Sequence, residues 1–214
     1  MDEEIQIINE DVKKKKIIDL IIKYKKFIYS FVLILFILLI TYFIYDDLQD
    51  RKNIKISNKY NRILSNYDYD EKNIFNDELI EIINLNNKTY SPLALFFIID
   101  NKLIQSQDDI NHYFDEILNN TNIDNEVKNL IIYKKALFNS EKTSEVNLVE
   151  ILKPVINSDS IWKSHSLLLM GNYFLSKGEK IKANDFYNKI ILSKNVNQNI
   201  LKEAQLRIRK NLNE

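Results

Sequence analysis

Two patterns of hydrophobic and polar positions divide the chain. Residues 27–45, FIYSFVLILFILLITYFIY, form nineteen consecutive positions without a charge. Beyond them apolar residues return at intervals of three and four, interrupted by short polar stretches. Three triplets with i, i+4, i+7 spacing stand out: Ile110, Phe114, Ile117; Leu148, Leu152, Val155; and Ala183, Tyr187, Ile190. That spacing puts each triplet on one stripe of a helix. Each is preceded by a second amphipathic stretch, near 90–104, 125–139 and 161–177. The pattern therefore predicts helical hairpins recurring about every 35 residues, near the ~34 of a tetratricopeptide unit.

The intervening stretches agree. Asn119–Asp124, Ser140–Ser144 and Asn157–Ser160 are polar and rich in helix-capping residue types. Asp108 is a candidate cap for the helix of the first triplet, and Pro92 suits the first turn of the helix before it. A helix is expected to run on from the apolar segment to about Ser65, a second to cover 73–86 and end at Asn86-Asn87, and a last one to lie near 198–212. Two glycines and two prolines in 214 residues leave too few turn residues for a β-protein. The expected class is all-α, with an N-terminal transmembrane helix followed by stacked helical hairpins forming an α-solenoid. Its segments are 1–26, a basic N-terminus; 27–45, the span; 46–88, membrane-proximal helices; and 89–214, the repeats.

Nineteen helical residues reach roughly 28 Å, close to the hydrocarbon thickness of a bilayer. Tyr29 near one end and Tyr42 and Tyr45 near the other place amphipathic rings at the interfaces. A cleaved signal peptide would have a shorter apolar run and small residues at its end, which Thr41-Tyr42-Phe43 and Tyr45-Asp46-Asp47 do not provide. Lys13, Lys14, Lys15, Lys16, Lys23, Lys25 and Lys26 precede the span, whereas Asp46, Asp47 and Asp50 follow it. The positive-inside rule keeps the N-terminus in the cytoplasm and carries 46–214 across. IIDLIIKY, 17–24, is expected as a short interfacial helix before the span.

Charge and candidate chemistry add mostly exclusions. Thirty basic and thirty acidic residues balance; removing the seven lysines and six acids before position 45 leaves 23 and 24. No net-basic face suits nucleic acid. Without cysteine there is neither a disulfide nor a thiolate metal site. His112 and His165 are far apart, and neither has a second histidine at ligand spacing. No H-E-x-x-H, G-x-S-x-G or glycine-rich phosphate loop occurs. DYDEKNIFNDE, 68–78, lacks the glycine and bidentate glutamate of a calcium loop. Trp162 reads as a helix-start packing residue. No enzyme, no cofactor and no metal is expected.

Both glycines fall in LLLMGNYFLSKGEKIKANDFYNKII, 167–191. Gly178 suits the left-handed turn of a hairpin. Gly171 sits mid-helix, where it costs ~1 kcal/mol against alanine, and closely approaching helices with Ala183 opposite would recover this. Leu167, Gly171, Phe174, Ala183, Tyr187 and Ile190 resemble the tetratricopeptide signature in spacing, with Asn195 where that family often has proline. The unit before is degenerate, with Ala136 and Leu148 in the two small-residue places. The whole layout resembles a narrower family, the ancillary subunit of the SecYEG translocon, a single-pass bacterial inner-membrane protein with a tetratricopeptide-like periplasmic domain. TYSPLALFFIIDNKLIQSQDDI, 89–110, looks like that family's first clear hairpin and MGNYFLSKGEKIKANDFY, 170–187, like its most regular one.

That resemblance implies association with the translocon and hand-over of unfolded exported proteins to periplasmic chaperones, in particular a membrane-anchored prolyl isomerase. Resemblance to tetratricopeptide domains further implies a protein-binding face on the first helices of the hairpins. His165, Leu168, Asn172, Leu175 and Ser176 would face it in the regular unit, with Leu130, Tyr133 and Leu137 in the unit before. The competing expectation is that neighbouring helices cover Leu168, Leu175, Tyr133 and Leu137. An anchored scaffold for another envelope assembly, in cytochrome maturation, secretion or division, is the alternative function.

Overall fold

The computed structural model describes the backbone of residues 2–67, 75–193 and 196–213, and the side chains of 22–27, 29–67, 75–193 and 196–210. The described residues are all-helical: α1 Asp2–Asn66, α2 Asn76–Asn84, α3 Tyr90–Asp100, α4 Gln107–Asn120, α5 Asn125–Asn139, α6 Glu145–Ile156, α7 Lys163–Ser176, α8 Lys180–Ile191 and α9 Gln198–Asn213. The chain divides into two compact units, Met1–Lys55 and Ile56–Glu214, with the boundary inside α1.

In the first unit α1 holds the one helix, among the described residues, long and apolar enough to cross a membrane. None of its apolar window is buried against protein, as Phe27, Phe31, Phe36, Leu38 and Phe43 illustrate. IIDLIIKY, expected as a separate interfacial helix, instead continues α1 without a break. No proline or glycine stands between 2 and 66 to interrupt the backbone ladder. Thr41 returns its hydroxyl hydrogen to the Ile37 carbonyl (2.9 Å).

The second unit begins earlier than the composition suggests. Ile56, Tyr60 and Ile63, at i, i+4, i+7 on α1, are buried with Leu79, Ile82 and Ile83 of α2 and Ala94, Leu95 and Ile98 of α3. Residues 56–67 and 75–88 therefore share a core with the hairpins beyond them. Tyr90 donates to Ser57 Oγ (2.7 Å), and Lys59 and Arg62 pair with Glu81 and Glu78. From α2 onward each helix packs chiefly on its chain neighbours, most extensively α7 on α8.

Local chemistry sets the helix ends. Ser106, Asp124 and Ser144 each accept a backbone N–H from the residue three positions on, capping α4, α5 and α6. Such a cap is worth ~1 kcal/mol. Asp108, expected to cap α4, lies inside its first turn instead, where its charge complements the helix dipole. Ser91, fully buried, donates to the Ile82 carbonyl and accepts from Asn87 N–H, joining the end of α2 to the start of α3. Pro92 lies in the first turn of α3, as expected.

Gly178 closes α7 with φ +78°; its N–H reaches the Leu175 carbonyl (3.0 Å) and that of Glu179 reaches the Phe174 carbonyl (2.9 Å). This is the paired-bond left-handed stop that glycine favours. Lys102 makes the same pair of bonds after α3 at φ +52° without that advantage.

Gly171 is buried on α7, but the group that needs its missing Cβ is not Ala183. A β-carbon there would overlap the Tyr187 ring, reaching 2.7 Å from Cδ1. Tyr187 lies one helical turn beyond Ala183 on α8, and its ring occupies the space above the glycine. Its hydroxyl crosses back to Asn172 Oδ1 (2.8 Å).

Candidate functional site

Helix α5 has the richest surroundings in the second unit. Its buried stripe carries Ile131 and, eight residues on, Asn139, a carboxamide only 5% exposed. Burying an amide without partners would cost a few kcal/mol, and here all four of its bonds are made. Asn139 Oδ1 accepts from Gln107 Nε2 (2.7 Å) and Asn111 Nδ2 (3.0 Å) of α4, while its Nδ2 donates to Asn111 Oδ1 (2.7 Å) and the Lys135 carbonyl (2.8 Å). The network locks α4 to α5 and separates two depressions.

On one side of it, α3 and α5 enclose an apolar groove. Its inner part, about 100 Å³, is lined by Phe96, Ile99, Leu137 and Phe138 with Asp100 and Lys134 at the rim. Lys134 Nζ sits 5.5 Å from the Phe96 ring centroid, covering that face with a cation. Beside it a wider depression of mixed polar and apolar lining, about 400 Å³, shares Ile99 and Phe138 and continues past Ile104 and Ile110 to Gln107, Lys142 and Glu141. On the other side, α4, α5 and α6 border an open hollow of about 340 Å³ with a mixed polar and apolar lining.

The corresponding space between α5 and α7 is filled. Tyr133 stacks on Trp162 (centroids 5.7 Å, 20° between planes), and His165 completes the cluster at 5.9 Å from Tyr133 and 5.1 Å from Trp162. Burial pushes the Tyr133 phenol above its ordinary pKa. Trp162 occupies the N-cap position of α7, so its expected packing role has a specific partner in α5. Ser160 Oγ, just before it, donates to Glu126 (2.8 Å) and fixes the α6–α7 connection to the start of α5.

The residues singled out for a binding face thus separate. Leu137, 42% exposed, opens into the α3–α5 groove. Tyr133 and His165 pack against each other and Trp162. Leu168 and Leu175 are half-buried against the second hydrophobic core, and Leu130 is half-buried on α5. Asn172 is taken up by the Tyr187 hydroxyl, and Ser176 donates to the Tyr173 carbonyl. The repeat positions Ala136, Leu167, Gly171, Phe174, Ala183, Tyr187 and Ile190 are all buried, while Gly178 is exposed at its turn.

Sequence reasoning missed the Gln107–Asn139–Asn111 network and the grooves beside it. A carboxamide eight residues after Ile131 on the same stripe was the available signal. It was masked by the abundance of asparagine in the chain. His112 lies exposed on α4, its ring 5.8 Å from that of Tyr113. Among the described residues no three histidine, aspartate or glutamate side chains converge as metal ligands. Comparison with protein families, characterised proteins and solved structures finds no match to this chain.

Proposed function

We propose that the chain is a single-pass bacterial inner-membrane protein whose tetratricopeptide-like helical array binds proteins beside the SecYEG translocon. On this reading the N-terminus is cytoplasmic and the array periplasmic, where it passes unfolded exported chains to chaperones such as a membrane-anchored prolyl isomerase. The observation that carries the reading is an apolar helix with no protein cover on the same chain as a series of neighbour-packed helices. Burial of all six signature positions of the α7–α8 pair supports a tetratricopeptide-like solenoid. The lysines before the span and aspartates after it support the orientation. The groove at Phe96, Leu137 and Phe138 offers a client an apolar surface on the first helices of two successive hairpins.

The test is co-purification of the full chain from membranes in mild detergent. Translocon subunits together with a periplasmic prolyl isomerase are the expected partners; exclusive recovery of an unrelated envelope assembly overturns the reading. Because the chain has no cysteine, single substitutions report topology without background. Ser158→Cys is expected to react with an impermeant maleimide from the periplasmic side, and Asn9→Cys only after the membrane is breached.

A further inference from the structure

We propose that Lys23, Lys25 and Lys26 form a cationic collar that holds anionic phospholipid headgroups at the lysine-bearing end of the span. The inference rests on the reading of 27–45 as membrane-spanning and gives that reading a ligand. Depth comes first. Helix α1 runs without a break through the apolar segment. At 1.5 Å per residue the three lysines stand ~1.5–6 Å outside Phe27. The headgroup layer on either side of a ~30 Å hydrocarbon core is ~5–7 Å thick. The three ammonium groups therefore fall at the level of the lipid phosphates.

Their distribution round the axis argues for lipid over a partner helix. At ~100° per residue, Lys25 and Lys26 stand ~200° and ~300° from Lys23. All three are exposed. A partner helix would cover one face of α1, whereas these charges occupy more than one, and headgroups surround a span. The charges are also available. Among the described residues no ion pair includes any of the three. Lys23 Nζ stands 5.6 Å from the Tyr24 ring centroid, on a residue type that itself favours the interface. The opposite end of the span has the reverse character. Asp46 and Asp47 are exposed there, and Arg51 is paired with Asp47 (2.8 Å). Anionic lipid is thus favoured at one end and repelled at the other.

The block Lys13–Lys16 lies outside the collar. Along α1 it stands ~16–21 Å from Phe27, more than a Debye length of ~8 Å beyond the headgroups. Glu10 and Asp11 precede it and Asp19 follows it, which weakens its hold on any soluble polyanion such as nucleic acid.

The experiment places the full chain in phosphatidylcholine liposomes with a trace of spin-labelled phosphatidylglycerol or, in parallel, spin-labelled phosphatidylcholine. The immobilised fraction of each label reports its share of the sites round the span. A lysine near the surface is worth roughly fivefold in the distribution of an anionic lipid, so phosphatidylglycerol is expected to be preferred at least about fivefold. The triple variant Lys23→Gln, Lys25→Gln, Lys26→Gln should bring the preference close to about one with the same number of immobilised lipids. Replacing Lys13, Lys14, Lys15 and Lys16 by Gln should leave it within about twofold of wild type. Equal immobilisation of the two labels, or a preference that survives the triple variant, overturns the proposal and leaves the span standing. Loss of preference in the quadruple variant alone moves the contact to the outer block and overturns it too. A DNA duplex added to the liposomes is expected to leave the preference unchanged; displacement of phosphatidylglycerol by the duplex reassigns the lysines to nucleic acid. Absence of any immobilised lipid sinks the span and the collar together.

Discussion

The second unit has two cores, and they are filled on different principles. The one nearer the start, from the end of α1 to α5, is dominated by isoleucine: Ile56, Ile63, Ile82, Ile83, Ile98, Ile110, Ile117 and Ile131 are buried there with Phe114. The later one, from α5 to α9, sets small residues against rings: Ala136, Ala183 and Ala204 with Tyr173, Phe174 and Tyr187. All four alanines of the chain, Ala94 included, are 0% exposed. Alanine is scarce here, and every one is fully buried. The first core is therefore specified by volume supplied, the second by volume withheld. Truncation should damage the first, and enlargement the second.

The largest expected effect comes from emptying the first core. Phe114→Ala should cost ~3–5 kcal/mol, read as a fall in thermal midpoint of the full chain in detergent. Loss below 1 kcal/mol, on the order of a surface change, would show that the isoleucines close over the gap. Next is enlargement in the second core. Gly171→Leu drives a side chain into the Tyr187 ring and should cost ~1–3 kcal/mol. The pair Gly171→Leu with Tyr187→Ala sharpens this, because removing the ring should return part of the loss. Strict additivity of the two would sink the close-approach account.

A matched pair of smaller changes contrasts the cores directly. Ile98→Val should cost ~0.5–1.5 kcal/mol by loss of one methylene. Ala183→Val, a gain in volume, should also destabilise, and stabilisation there would erase the distinction. An effect of the same size is expected at Tyr187→Phe, which loses the bond to Asn172 for ~0.5–1.5 kcal/mol.

That substitution also carries a pH signature. Burial raises the Tyr187 phenol above its ordinary value, with Arg207 lowering it and Glu203 raising it further. The folded state thus favours the neutral phenol. Its contribution is complete below the unfolded pKa of ~10 and is lost as pH climbs through the raised folded value. Tyr60, Tyr113 and Tyr133 are raised too, by burial first. The Phe variant should therefore show a shallower alkaline fall in stability, and an unchanged fall would remove Tyr187 from it.

Much of this was legible in the chain. The triplets Ile110/Phe114/Ile117, Leu148/Leu152/Val155 and Ala183/Tyr187/Ile190 are buried as the spacing requires. Helix α5 was bounded at both ends, because Asp124 caps it and polar residues follow Asn139. Periodicity reads one helix at a time, so it failed where two helices decide. The partner of Gly171 was assigned to Ala183 by size, yet Tyr187 is the group that fills the space. Asn172 looked free for a ligand until the Tyr187 hydroxyl was found on it. Tyr133, His165 and Trp162 read as three separate residues, but their rings meet between α5 and α7.

The sequence alone determined the helical class, the unbroken apolar segment and the stripe each helix buries, since these follow from backbone periodicity and hydrophobicity within one stretch of chain. Only the tertiary structure decided which stripe faces which, that residues 56–67 and 75–88 join the same core, and that one buried carboxamide network stands between two surface depressions. Those outcomes depend on the packing of side chains from helices distant in sequence, where fractions of an ångström of shape choose the partner.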